Sequence, residues 1–220
     1  MAKVKSKYVC QSCGYETAGY LGKCPECGSW GTFVEEVDAP ISKKETEISV
    51  VDKFPPMRLD EIEMNSEIRM ETNISEFDRV LGGGIVQGSL VLIAGDPGIG
   101  KSTILLQTSG QVCSKNKRVL YVSAEESAGQ IKLRAERLGV KSDNLYIYPQ
   151  TNLELVRKHI EEMMPDLVII DSIQAIYTSA IQSSAGSVSQ IRECCNILMQ
   201  IAKSQNISII VIGHVTKEGN

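Results

Sequence analysis

Residues 89–103 read SLVLIAGDPGIGKST, and this stretch decides the fold class. An apolar run of strand length leads into a glycine-rich turn, which is followed by a segment with helical patterning. The turn fits G-x-x-x-x-G-K-S/T at Gly95, Gly100, Lys101 and Ser102. In such a loop, backbone N–H groups and a helix N-terminus surround the phosphates, and the lysine reaches the β- and γ-phosphates. We therefore predict a nucleotide site rather than a turn without a ligand. Its residues are Gly95, Asp96, Pro97, Gly98, Ile99, Gly100, Lys101, Ser102 and Thr103.

Strand-length apolar segments alternate with helical segments from about Arg58 onward. Strands are predicted at 89–94, 118–123, 144–148, 167–171 and 207–212, and helices at 101–114, 127–138, 153–164 and 188–204. Strands that are apolar throughout and alternate with helices indicate a parallel sheet covered on both faces. The sequence therefore predicts an α/β fold with a P-loop core.

Acidic residues follow two of the predicted strands. LVIID ends on Asp171, which with the Ser102 hydroxyl is expected to hold Mg²⁺, although an acid there can also cap a helix. Glu125 and Glu126 follow the second strand at the carboxyl edge of the sheet, where ligands bind in such folds. Acids are also favoured at helix N-termini by the helix dipole. We predict that Lys101, Glu125 and Glu126 are catalytic, with Glu125 the preferred base for orienting water.

Four of the seven cysteines lie near the N-terminus, at Cys10, Cys13, Cys24 and Cys27. The spacing C-x2-C-x10-C-x2-C, with a glycine after each pair, indicates two knuckles around one tetrahedral ion. Segments below about 40 residues usually need such a staple. We predict one structural Zn²⁺, with an iron–sulfur cluster, a redox motif or two unrelated turns as the alternatives. The odd cysteine count without a signal peptide favours a reducing, cytoplasmic location.

Length and composition divide the 220 residues into three parts. We expect a zinc finger over residues 1–34, a charged linker over 35–57 and an ATPase core over 58–220. No apolar run approaches the ~18 residues of a membrane span, so no membrane partner is expected. A net charge of −4 argues against a uniformly basic nucleic-acid coat but not against a local basic site. The chain stops directly after a predicted strand, so we expect the core to be incomplete at its C-terminus.

Four runs carry a resemblance: EFDRVLGGG at 76–84, YVSAEES at 121–127, LVIIDSIQ at 167–174 and VIGHVTKEG at 211–219. Together with the cysteine motif, they resemble the RadA (Sms) family of bacterial DNA-repair proteins. The resemblance implies a RecA-like ATPase core, a hexameric ring, and branch migration on recombination intermediates with single-stranded or branched DNA. It also implies that Glu125 activates water, that Asp171 supports Mg²⁺ with ATP, and that His214 is a γ-phosphate sensor. A KNRFG motif and a Lon-protease-like domain, which family members carry beyond this end, are absent from the chain.

DNA contacts are expected in the loops that line the central channel of RecA-like folds. Here these are residues 172–189 and 215–220, with Arg192 and Lys217 nearby. The alternative is a mobile surface loop, because a serine-rich segment without aromatic residues offers no stacking platform. Two other functions stay open at this point: a P-loop kinase, and a zinc-ribbon adaptor in which the nucleotide acts as a switch without turnover.

Overall fold

The computed structural model describes residues 6–37, Arg58 and residues 69–214. The chain divides into two compact units, Met1–Glu67 and Ile68–Asn220. Most of the predicted linker, at residues 38–57, lies outside the described residues, as does Lys217. No helix in the described part of the chain is long and apolar enough to cross a bilayer.

The first unit contains a small antiparallel sheet with the strand order β2-β1-β3. Its strands are β1 (Ser6–Cys10), β2 (Glu16–Thr17) and β3 (Phe33–Val37). Backbone pairing joins Cys10 to Phe33 at one end of the β1–β3 ladder. Because β3 runs to Val37, this sheet extends past residue 34, where the sequence placed the end of the zinc finger.

The second unit is built on a parallel five-stranded sheet with the order β6-β10-β9-β7-β8. Its strands are β6 (Leu90–Gly95), β7 (Val119–Ser123), β8 (Leu145–Pro149), β9 (Leu167–Asp171) and β10 (Ser208–His214). A two-stranded ladder, β4 (Arg69–Met70) with β5 (Ile85–Val86), precedes it. The predicted α/β class is therefore confirmed.

Helices connect the consecutive strands of the parallel sheet, as its crossovers require, and one further helix joins the antiparallel β4 and β5. They are α1 (Ser75–Val80), α2 (Lys101–Ser114), α3 (Ala128–Arg137), α4 (Leu153–Met163) and α5 (Val188–Gln205), with a 3₁₀ turn at Ile173–Ala175. Ser127 and Gln130 form a capping box that sets the start of α3. Met164, with φ +47°, ends α4 just before Pro165.

Apolar side chains fill both faces of this sheet. One face packs against α4 and α5, and the other against α2 and α3. The first layer includes Leu120, Val122, Val168, Ile170, Val156, Ile160, Cys194 and Leu198. The second includes Val119, Tyr121, Leu167, Ile169, Leu105, Leu106, Val112 and Ile131. Burial on both faces explains why the inner strands β7 and β9 lack polar alternation, whereas the outer strands β6 and β8 expose Leu92 and Tyr146.

Strand order and register place the candidate residues together. β10 lies between β6 and β9, and the pairing sets His214 level with Gly95 and Ser123 level with Asp171. The carboxyl ends of β6, β7, β9 and β10 therefore lie along one edge. No local sequence pattern specifies this order, because it depends on which strands pair after the crossovers form.

Candidate nucleotide and metal sites

The glycine-rich loop joins the end of β6 to the start of α2. Gly98 and Gly100 adopt φ of +82° and +99°, which side chains with a Cβ rarely tolerate. Gly100 is also the residue that precedes the first turn of α2. The Lys101 side chain is buried, and its Nζ donates to the carbonyl oxygens of Gly95 at 2.7 Å and Asp96 at 2.8 Å. The loop thus holds a cation beside the backbone N–H groups of a helix start.

Glu125 lies where three strand ends meet. Its Oε1 accepts a hydrogen bond from the Ser172 hydroxyl at 2.5 Å and lies 3.6 Å from Nε2 of His214. The Gln174 side-chain amide in turn donates to the His214 carbonyl at 3.2 Å. The sequence predicted Glu125 and His214 as site residues, and the fold brings them together. It assigned Ser172 and Gln174 to the predicted DNA loop, residues 172–189, and not to the nucleotide site.

Glu126 turns away from this group. Its carboxylate forms an ion pair with Arg134 of α3, and its backbone N–H donates to the Ser123 hydroxyl at 3.1 Å. The same hydroxyl donates back to the Glu126 carbonyl at 2.8 Å. The two adjacent acids therefore have different partners: Glu125 lies beside His214, and Glu126 pairs with Arg134.

Asp171 is held by a buried tyrosine that the sequence reading did not single out. Tyr121 is only 1% exposed, and its hydroxyl donates to Asp171 Oδ2 at 2.6 Å. Burial raises the pKa of Tyr121 far above its usual value and the negative charge of Asp171 raises it further, although Arg134 and the Ser102 side chain act against this. The tyrosine therefore keeps its proton at any working pH. Because it occupies Oδ2, Oδ1 stays available to a cation.

The residues predicted to hold Mg²⁺ share this cluster. Asp171, the last residue of β9, accepts a hydrogen bond from the Tyr121 hydroxyl. Ser102, in the first turn of α2, lies near enough to Tyr121 to act against the rise in its pKa. A hydroxyl and a carboxylate are hard oxygen ligands of the kind that Mg²⁺ prefers beside nucleotide phosphates. The donor set therefore fits the expected ion.

The predicted DNA loop, residues 172–189, is anchored at two points. The buried Gln190 side chain accepts from the Thr178 N–H at 3.0 Å and donates to the Ser183 carbonyl at 2.9 Å. Glu154 accepts from the Thr178 hydroxyl at 2.6 Å and the Ser179 N–H at 2.9 Å. Partial burial opposes charge on Glu154, but these hydrogen bonds prevail and lower its pKa. Arg192 is exposed on α5.

The four N-terminal cysteines form one cluster. Their sulfurs all lie within 4.8 Å of one another, with Cys10 and Cys27 at 3.7 Å and Cys13 and Cys24 at 3.6 Å. Zn–S bonds of about 2.3 Å in a tetrahedron separate sulfurs by about 3.8 Å, so the cluster fits zinc. Each knuckle turn is closed by a backbone hydrogen bond: the Gly14 N–H donates to the Cys10 carbonyl, and the Gly28 N–H donates to the Cys24 carbonyl. All four positions are thiols, which is typical of a structural site.

Two family profiles match this chain, one over the segment that contains the glycine-rich loop and one over the segment that contains the four cysteines. A family profile described as an AAA domain matches residues 55–220, and a zinc-ribbon profile described as a rubredoxin metal binding domain matches residues 8–35. The whole chain is similar to the DNA repair protein RadA of Listeria monocytogenes (53% identity, 48% of the relative covered), of Bacillus subtilis (52%, 49%) and of Streptococcus pyogenes serotype M1 (52%, 48%). The chain spans about half the length of these relatives. The predicted resemblance is confirmed.

Proposed function

Because the chain belongs to the AAA domain family, we propose that it is a magnesium-dependent ATPase that acts on DNA in recombinational repair. The observation that carries the proposal is the arrangement at one sheet edge: Lys101 lines a cavity with His214, and His214 in turn contacts Glu125. Asp171, on the neighbouring strand, accepts from Tyr121. Relatives named DNA repair protein RadA support the repair context. Branch migration is the specific activity that we propose within that context.

Each residue has a distinct part in the proposed hydrolysis. Lys101 binds the β- and γ-phosphates after leaving the carbonyl oxygens that it now contacts. Ser102 and Asp171 would hold Mg²⁺, which neutralises charge on the phosphates when bound. Glu125 orients the attacking water with the oxygen that Ser172 leaves free, and its half-exposed side chain is open to solvent.

His214 is proposed to report the state of the γ-phosphate. A small shift of its ring changes the 3.6 Å contact with Glu125, and a shift of its backbone pulls on Gln174. Gln174 belongs to the turn that opens the 172–189 loop. We therefore propose that this loop, with Arg192 and Lys217, contacts single-stranded or branched DNA and responds to the nucleotide. Assembly into a homo-hexameric ring and a cytoplasmic location belong to the same proposal.

The decisive experiment is steady-state ATP hydrolysis with and without single-stranded DNA. We expect Mg²⁺-dependent turnover that DNA stimulates and that Glu125→Gln removes. Glu136→Gln is the matched control, because Glu136 is an exposed acid on α3. Transfer of phosphate to an acceptor would favour a kinase instead. Binding without turnover would favour the nucleotide-switch adaptor, and either result would reject the ATPase proposal.

A further inference from the structure

We propose that Arg134 is a second cationic contact to the nucleotide, binding the γ-phosphate from within the same chain. This inference rests on the proposed function, because it concerns the same site. Arg134 lies outside the sequence motifs that predict the nucleotide site. Its position beside the phosphate loop follows from the packing of α3 against the sheet.

The helix presents Arg134 to the site. The capping box at Ser127 sets the start of α3, and buried Ile131 fixes which face packs on the sheet. Arg134 follows Ile131 by three positions and so lies on the same side of the helix. Its side chain is 18% exposed, whereas Arg137, one turn further, is an exposed residue. The two arginines of one helix therefore have different surroundings.

Arg134 lines a small cavity beside the phosphate loop. The cavity measures about 150 Å³, and its other walls are Gly98, residues 100–103 and His214. Two cationic side chains, Lys101 and Arg134, thus face one space at the start of α2. The positive charge of Arg134 also reaches Tyr121, which donates to Asp171. An anion that enters this space meets two cations and a helix N-terminus, which together favour phosphate.

The γ-phosphate is the group that best matches this position. His214 borders the same cavity and contacts Glu125, the proposed base for the water that attacks the terminal phosphate. A guanidinium offers several N–H donors in one plane and binds phosphate oxygens in pairs. Glu126 is its present partner, and with a side chain that is 39% exposed this acid can separate toward water. Binding of the phosphate thus competes with the Arg134–Glu126 ion pair.

Because the phosphate and Glu126 compete for Arg134, substitutions of Arg134 and of Glu126 should change nucleotide affinity in opposite directions. Arg134→Gln should weaken binding of a non-hydrolysable ATP analogue by about 10- to 100-fold, the worth of a charge-assisted hydrogen bond. ADP affinity should stay nearly unchanged, because ADP lacks the group contacted. Glu126→Gln should strengthen binding of the analogue, since Arg134 no longer has to leave a carboxylate. Arg137→Gln is the matched control and should change neither affinity.

The test is to measure the equilibrium dissociation constants of the analogue and of ADP, in the presence of Mg²⁺, for the wild type and the three variants. Equal loss of both nucleotides in Arg134→Gln, or the same change in Arg134→Gln and Glu126→Gln, would overturn the inference in favour of a purely structural ion pair. If Arg134→Gln does not fold, Arg134→Lys retains the charge and should lose part of the preference for the analogue. Failure of the wild-type chain to bind either nucleotide would overturn the proposed function itself. Binding by the wild type with an unchanged preference in the variant would overturn the Arg134 inference alone.

Discussion

The Tyr121→Phe substitution tests how Asp171 is positioned. It removes the hydroxyl that donates to Asp171 Oδ2 at 2.6 Å and retains the ring that packs in the core. A hydrogen bond to a charged group contributes about 1.5–3 kcal/mol, and no cavity forms because the ring stays. We therefore expect the free energy of unfolding to fall by about 1.5–3 kcal/mol. For a unit of this size that corresponds to a melting temperature about 3–12 °C lower.

The same substitution should also affect the metal. Without the tyrosine, Asp171 is no longer held in one orientation, and loss of such an outer partner typically costs 10- to 100-fold in metal affinity or activity. We expect the Mg²⁺ concentration for half-maximal ATP hydrolysis to rise by about tenfold or more. The assays are chemical denaturation and a Mg²⁺ titration of turnover.

Tyr146→Phe is the matched control. Tyr146 lies on the outer strand β8 and is 45% exposed, so loss of its hydroxyl should change neither quantity. Tyr121→Phe with wild-type stability and wild-type Mg²⁺ dependence would show that Asp171 needs no positioning from this residue. A stability loss without a change in the Mg²⁺ titration would confine Tyr121 to a structural role.

Three further predictions concern other parts of the chain. Lys101→Ala should abolish ATP turnover and leave zinc at one ion per chain by elemental analysis; residual wild-type turnover would contradict the phosphate-loop assignment. Cys27→Ser should release the metal and unfold the first unit alone, since the two units are separately compact, and protease resistance of the core with loss of zinc is the expected readout. Because folding lowers the pKa of Glu154, its contribution to stability is present at neutral pH and is lost as the pH falls through the folded value. The protection factors of the Thr178 and Ser179 amides, taken against the intrinsic exchange rate at each pH, should therefore fall in acid and, at neutral pH, in Glu154→Gln. Unchanged protection in that variant would show that Gln190 alone holds the loop.

The sequence predicted most reliably those features that depend on residues close together in the chain. The four-cysteine site, the family resemblance and the fold class are confirmed, and phosphate binding by the glycine-rich loop stays a prediction. The roles of Glu125, Asp171 and His214 stay predictions. Glu126 was grouped with Glu125 because the two are neighbours in sequence, yet the structure pairs its carboxylate with Arg134. Adjacent side chains after a strand point in different directions, and a sequence motif does not specify the direction of each side chain.

The sequence by itself determined the local features of this protein: a glycine-rich loop between a strand and a helix, two cysteine knuckles that form one cluster, and apolar strands that are buried on both faces. Each depends on residues a few positions apart, so that backbone geometry is enough to specify it. Only the tertiary structure decided that β10 separates β6 from β9 and that Tyr121 reaches Asp171, a residue 50 positions away. It also decided that Arg134, and not Arg137, faces the phosphate loop. The physical reason is that strand pairing and helix packing are set by burial of the whole core, which brings together side chains that share no local pattern.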